Sequence, residues 1–346
     1  MDELESLGWR SFFAAQVDAD DPCVPARIVA VHRQRVEVAG AGFSAQLPLS
    51  GKSAAFAVTV GDWVLVDGDG PRLSRVLERF GAFKRGAAGT SGTVQLIAAN
   101  VDTVFIVTSA NRDFNVARLE RYLAIAYEAG AYPVIVITKA DTVESPEPYV
   151  ARARALGSGL LVEALYARAA DDVDRLRPWC GPGQTVALLG SSGVGKSTLI
   201  NTLSGAGQET CDVREDDQRG RHTTTSRSMH RLPQGGWLID TPGMRELRLV
   251  DSGDALDDVF SDVAALAADC RFSDCRHEAE PGCAVRAAIE AGTLDPGRLE
   301  RFQKLRAEER RNTETIAERR ARDRALGHLY KSVLAQSRRG KGDGNR

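Results

Sequence analysis

No apolar run in this chain of 346 residues reaches the roughly 20 residues that a helix needs to cross a bilayer. A membrane-embedded role is not expected. The opening Met1-Asp2-Glu3-Leu4-Glu5 is acidic, where a secretory leader would carry a basic stretch and then an apolar one. The expectation is a cytoplasmic protein. Cysteine is sparse, at six residues. In a reducing compartment such thiols should be buried or metal-bound rather than paired as disulfides. A strong overall charge is also lacking, with a net of −2. That small figure hides an asymmetry. From Arg301 to Arg346 there are 14 Lys/Arg and 6 Asp/Glu, a balance of +8, which leaves −10 on the rest. A basic tail on an acidic body points to a polyanionic partner; a solvated helix face with a frayed end is the alternative.

What is present centres on Gly190-Ser191-Ser192-Gly193-Val194-Gly195-Lys196-Ser197-Thr198. An apolar run, Thr185 to Leu189, precedes it, and a helix-like run from Leu199 follows. Strand, glycine-rich loop, Lys-Ser and helix form a phosphate-binding loop. Many backbone N–H groups must converge on phosphate oxygens, so the chain has to curl without side chains in the way. The following helix turns its positive end to the anion. Lys196 adds a charge, and the Ser197 hydroxyl can hold Mg2+. Ser50-Gly51-Lys52-Ser53 is a decoy, since Gln46 stands where the first glycine is required.

Four segments are expected. Residues 1–26 read as an N-terminal extension, with a helical lead carrying Leu4, Leu7, Trp9, Phe12 and Phe13. Residues 27–84 alternate in short runs at Arg27–Val31, Arg35–Val38, Ala54–Val60 and Asp62–Val66. This predicts an antiparallel barrel, OB-like in type. Such a barrel either binds RNA or only packs on its neighbour, and Phe43 and Phe56 are its only stacking candidates before Trp63. Phe83 to Val94 reads as a mobile Gly/Ala/Thr linker. Across residues 85–250 the pattern is α/β, with apolar runs at Val101–Val107, Val134–Ile137, Leu160–Val162, Val186–Leu189 and Trp237–Ile239, and a helix over Val116–Ala129. A mostly parallel sheet follows, with ligands at the C-terminal ends of its strands. Residues 251–346 should be mainly helical, with a helix over Asp254–Asp269 and a long basic one from Pro296 to about Ser337.

The chemistry-bearing motifs fall at those strand ends. Thr138-Lys139-Ala140-Asp141 is close to the guanine motif Asn-Lys-x-Asp. An ionised Asp141 accepts from two adjacent guanine donors, whereas adenine would leave it half-paired; such mismatches discriminate by on the order of 10,000-fold. Thr138 replaces the commoner Asn, whose hydrogen bonds brace the loop. Glu163-Ala164 stands where Ser-Ala is usual, with the Ala164 backbone as a donor to guanine. In Arg219-Gly220-Arg221-His222-Thr223-Thr224-Thr225, Thr224 or a neighbour should complete the Mg2+ shell. Asp240-Thr241-Pro242-Gly243 supplies Asp240 for the metal and the Gly243 N–H for the γ-phosphate. Met244 occupies the position of a water-orienting Gln, so His222 or a partner's group must take that role. Cys270, Cys275, His277 and Cys283 suit closed tetrahedral Zn2+, a structural site. Cys23, Cys180 and Cys211 read as plain thiols.

The base motif precedes the phosphate loop, the reverse of the ordinary order, which a circular permutation would produce. In this order the motifs Gly-Ser-Ser-Gly-Val-Gly-Lys-Ser, Gly-Arg-His-Thr-Thr-Thr, Asp-Thr-Pro-Gly and Cys/Cys/His/Cys resemble the small-ribosomal-subunit-dependent, circularly permuted GTPases (RsgA), over about residues 27–335. The resemblance implies an OB barrel, a permuted GTPase domain and a zinc domain. It implies a GTPase, here expected to be a monomer, that binds the small ribosomal subunit and its rRNA and hydrolyses GTP to GDP during late subunit maturation. An ATP-dependent enzyme and an RNA-binding module with a merely structural nucleotide are the alternatives.

Overall fold

The computed structural model describes residues 2–49, 56–68, 72–86, 94–205, 227–240, 247, 249, 252–310 and 312. Its frame is one mixed sheet of eleven strands. On one side lie β8 (Thr103–Ser109), β9 (Tyr132–Thr138), β10 (Leu161–Ala164), β11 (Thr185–Leu189), β12 (Arg227–Arg231) and β13 (Trp237–Asp240), in the order β10-β9-β8-β11-β13-β12. The first five of these pair in parallel and β12 closes antiparallel. Burial on both faces explains the near-continuous apolar runs: every residue of β8 and β11 is buried.

The other side is the antiparallel, barrel-like set β1 (Val24–Val31), β2 (Arg35–Gly40), β3 (Phe43–Pro48), β4 (Trp63–Val66) and β5 (Leu73–Val76). It curls around Ile28, Val36, Val38, Leu47 and Val64. Phe43 and Phe56 lean on this core instead of standing clear as stacking platforms. The two sides are hydrogen-bonded together. The end of β1 pairs with β12, Ala30 opposite Ser228 and Val31 opposite Arg227.

Three expectations change. The two ends of the stretch Phe83–Val94 are strand, while residues 87–93 of the expected linker lie outside the described residues. β6 (Ala82–Gly86) and β7 (Val94–Ala99) form an antiparallel hairpin. Small residues masked the signal, but Phe83 and Ile97 are each only 1% exposed and anchor it in the core. The run Ala54–Val60 yields no strand over residues 56–60; Val60 is instead buried, and its carbonyl accepts from Ala99 N–H at 2.9 Å. The helix expected over Asp254–Asp269 is two, α7 (Gly253–Val259) and α8 (Ser261–Ala268), broken at Phe260. Phe260 is wholly buried, 5.3 Å from the Phe302 ring. Its packing outweighs helical continuity.

The lead forms α1 (Glu3–Ser6) and α2 (Ser11–Ala14). Trp9 and Phe13 stack with Trp63 beneath them. Arg27, 1% exposed, joins three elements by donating to the carbonyls of Leu7, Gly61 and Asn100. Burial lowers its pKa to about 10, which keeps it cationic at neutral pH.

α3 (Val116–Glu128) begins at Asn115, whose side chain caps Arg118 N–H. Its apolar face, with Leu119 and Leu123, packs into one core that also takes in Leu256, Phe260, Leu299 and Phe302. The α/β part and the C-terminal helices therefore share an interior. The helix over 296–310, here α10, is tied to α3 by Glu120. Glu120 has no exposed side-chain surface and meets Arg298 at 2.8 Å and Arg301 at 2.9 Å. Breaking such a buried pair costs about 3–5 kcal/mol. No helix among the described residues is long and apolar enough to cross a membrane.

Arg27→Met removes the donor from three main-chain carbonyls. It should lower the Tm by about 5 °C or more. Arg33→Met, at an exposed position, should leave it nearly unchanged; differential scanning calorimetry compares the two.

Candidate functional site

β11 runs straight into the loop 190–195, and α6 (Lys196–Leu203) leaves it. Two glycines are obligatory there. A Cβ on Gly190 would lie 2.4 Å from the Val107 carbonyl. Gly195 has φ +95°, and a Cβ there would press on the Thr138 hydroxyl at 3.3 Å. The loop is therefore shaped by its neighbours in the sheet as well as by its own turns.

Four side chains from three places hold this loop. Lys196 Nζ donates to Gly190 O at 2.8 Å and to Ser191 O. The Thr138 hydroxyl, fully buried, lies 2.5 Å from Val194 O and 3.0 Å from Thr108 O. Lys139 Nζ donates to Gly193 O at 2.9 Å. Arg118 donates to the Ser191 hydroxyl at 2.6 Å. The Thr138 hydroxyl thus does the bracing expected of the commoner Asn. Lys139 itself has φ +58°, a left-handed kink that opens the short turn Ala140–Thr142 and exposes Asp141 at the strand end.

The Ala164 strand end joins the same rim. Ala140 N–H donates to Leu165 O at 3.4 Å, so the two base-side loops touch. Glu163, in place of the usual Ser, pairs with Arg175, whose other nitrogen donates to Ala164 O at 2.9 Å. Ser192 and Ser197 are exposed on the loop and at the start of α6, and Thr198 is half-buried beside them. Asp240 is exposed at the end of β13, paired in register with Ser228 of β12. His222, Thr223, Thr224, Thr225, Gly243 and Met244 lie outside the described residues, as do Cys211 and the 50–53 decoy.

Arg118 and Arg175 escaped the sequence reading. Their partners, Ser191 and Ala164, are distant in the chain or reached by main chain, and neither arginine sits in a recognisable motif.

The second candidate centre is the Cys270/Cys275/His277/Cys283 cluster. One ligand atom from each falls within 4.8 Å of all the others. Cys270 Sγ is 3.9 Å from Cys283 Sγ, and His277 Nδ1 lies 3.7 Å and 3.5 Å from those sulfurs. Metal–sulfur bonds of about 2.3 Å and metal–nitrogen bonds of about 2.0 Å at tetrahedral angles need edges of roughly 3.5–3.8 Å. The donor set fits. His277 sits at φ +61°, a strained conformation that turns its ring toward the thiols. Cys283 also caps α9 (Ala284–Glu290), its sulfur accepting from Arg286 N–H at 3.5 Å. Cys180 lies elsewhere; burial pushes its thiol up to about 12, so it is an inert core residue.

The similarities agree with this geometry. The family model described as RsgA GTPase matches residues 76–250. The small ribosomal subunit biogenesis GTPase RsgA 2 of Vibrio parahaemolyticus is 48% identical over 97% of this chain and 94% of its own length. The small ribosomal subunit biogenesis GTPase RsgA of Mesorhizobium japonicum is 51% identical over 90% and 91%. Among solved structures, YjeQ from Thermotoga maritima superposes with a TM-score of 0.62 at 25% identity, covering 82% of this chain and 97% of that one. YloQ, titled a circularly permuted GTPase, gives 0.59 at 22% identity over 88% and 99%, a likeness of fold. With relatives this close across nearly its whole length, this chain belongs to the RsgA GTPase family.

Proposed function

We propose that the chain is a GTPase that acts on the small ribosomal subunit during its maturation, hydrolysing GTP to GDP and phosphate when the particle orders its switch segments. The observation that carries this reading is the meeting of Thr138 and Lys139 with the main chain of the phosphate loop. Motifs about 50 residues apart become one nucleotide cradle, with the base end and the phosphate end in fixed relation.

In this reading Asp141 selects guanine, Lys139 covers the base face, and the Ala164 backbone donates to the guanine oxygen. Ala140 completes that turn. The backbone of Gly190, Ser191, Ser192, Gly193, Val194, Gly195, Lys196, Ser197 and Thr198 surrounds the phosphates. Lys196 now donates to two loop carbonyls and would exchange them for phosphate oxygens. The Ser197 hydroxyl, Thr224 and Asp240 would hold Mg2+, which neutralises charge on the outer phosphates. The Gly243 N–H meets the γ-phosphate, and His222 or a ribosomal group orients the water. The cysteine and histidine cluster holds one structural Zn2+, with folding energy on the order of 10 kcal/mol. The outer segments, the barrel over 27–84 and the zinc domain over 251–346, meet rRNA and flank the GTPase domain over 85–250. The protein works as a cytoplasmic monomer.

GTP hydrolysis measured with and without purified small subunits tests the whole reading. Stimulation is the expected result, and GTP turnover that the particle leaves unchanged would refute it. Asp141→Asn exchanges one acceptor for a donor. GTP affinity should fall by about 100-fold or more while xanthosine triphosphate, whose edge pairs with an amide, gains; competition binding reads both. His222→Ala should lower stimulated turnover by on the order of 100-fold with GTP affinity near normal; unaltered turnover removes His222 from the mechanism. Cys283→Ser should reduce bound zinc well below one ion per chain in elemental analysis, and chelation should lower the Tm of the wild-type chain but not of the variant.

A further inference from the structure

α3 touches more than the sheet. At its first turn Arg118 holds Ser191 of the phosphate loop. At mid-length Glu120 locks to Arg298 and Arg301 of α10. Arg298 extends that lock to Asp262 of α8 and to the Val259 carbonyl at 2.6 Å. One residue past Glu120 stands Arg121, whose guanidinium has two partners. One nitrogen donates to Leu247 O at 3.0 Å, and another pairs with the Glu308 carboxylate of α10. Leu247 is buried, four residues beyond Gly243 in the chain. Asn312, two positions past the described run of α10, donates to Leu249 O at 2.8 Å. Farther along α3, Glu128 accepts from the Ser252 hydroxyl at 2.5 Å.

The two charged contacts differ in kind. Glu120 is sealed from solvent, and its pairing fixes α10 to α3. Arg121 and Glu308 are each about one-quarter exposed, at 26% and 28%. A partly wet ion pair is weak and adjustable, and a planar guanidinium can hold a carboxylate and a carbonyl at once where an ammonium cannot match both geometries. Leu247, four positions past Gly243 in the sequence, is thus held by a residue that also holds α10.

We propose that Arg121 is a positioning residue for stimulated GTP hydrolysis. It ties the exit of the γ-phosphate-sensing segment to α10, so that a particle seated on the C-terminal domain is felt at the phosphates. This rests on the ribosome-stimulated GTPase reading above. It adds a cross-link through α3 to the direct route along the chain. Arg118 gives α3 its second hold on the site, at the phosphate loop.

The test uses the full-length chain with and without purified small subunits. Arg121→Ala and Glu308→Ala should leave basal kcat and KM within about twofold. The stimulated-to-basal ratio should fall by about tenfold or more in each. Arg121→Lys should restore only part of the ratio, and the double variant should be no worse than either single. A merely structural Arg121 would lower the Tm and leave the ratio alone. A wild-type ratio in folded Arg121→Ala, with the wild-type chain itself stimulated, overturns the proposal and spares the GTPase reading. A wild-type chain that shows no stimulation overturns both. A second measurement does not depend on the variants folding. Hydrogen exchange of residues 296–310 in the wild-type chain should slow when guanylyl imidodiphosphate binds, and equal exchange with bound analogue and without it contradicts the coupling.

Discussion

The buried Thr138 hydroxyl, 2.5 Å from the Val194 carbonyl, is the contact on which the rest depends. It joins the end of β9 to the phosphate loop, and Gly195 must lack a side chain for the two to come so close. Lys139 repeats the junction one residue later at Gly193. Two loops that are to meet opposite ends of one nucleotide work only at a fixed separation, since the ribose joining base and phosphates has a limited span. Two hydrogen bonds to main-chain carbonyls fix that separation without relying on any flexible surface pair. The sheet supplies the platform: β8 lies between β9 and β11 and pairs in parallel with both.

Permutation leaves this platform intact and changes what is attached to it. The strand β12 enters next to the barrel-like half, and β1 continues the ladder across the boundary. On the far side, α3 shares its core with α7, α8 and α10. The nucleotide site is therefore hydrogen-bonded to one outer segment through the sheet and packed against the other through a helix. Neither connection resembles a loose tether. On the function proposed above, such stiffness carries small shifts at the phosphates to the outer segments, because slack joints do not absorb them.

Much of this was legible in the residues. Continuous apolar runs marked the parallel strands because those strands are buried on both faces. The glycine-rich loop, the turn after β9 and the Cys/His cluster could be picked out because the chemistry proposed for them dictates spacing as well as residue type. The hairpin at Phe83–Ala99 was not. Residues 86–93 of the sequence are all small, and only the burial of Phe83 and Ile97 reveals the strands on either side as structure. The break at Phe260 was hidden for a related reason, because its partner Phe302 is far along the chain. The same distance hid Arg118, Arg121 and Arg298: each is an ordinary surface-type residue until the fold brings its partner from more than 70 positions away. Thr138 was legible as a departure from Asn, but not the placement of its hydroxyl against the Val194 and Thr108 carbonyls.

The central claim is that separated stretches of backbone enclose one guanosine triphosphate. Single-turnover phosphate release by the full chain, with GTP and with ATP in parallel and small subunits present, tests it most directly. The account predicts a rapid burst of about one phosphate per chain from GTP and almost none from ATP. Equal release from both nucleotides, or release from neither, would contradict it.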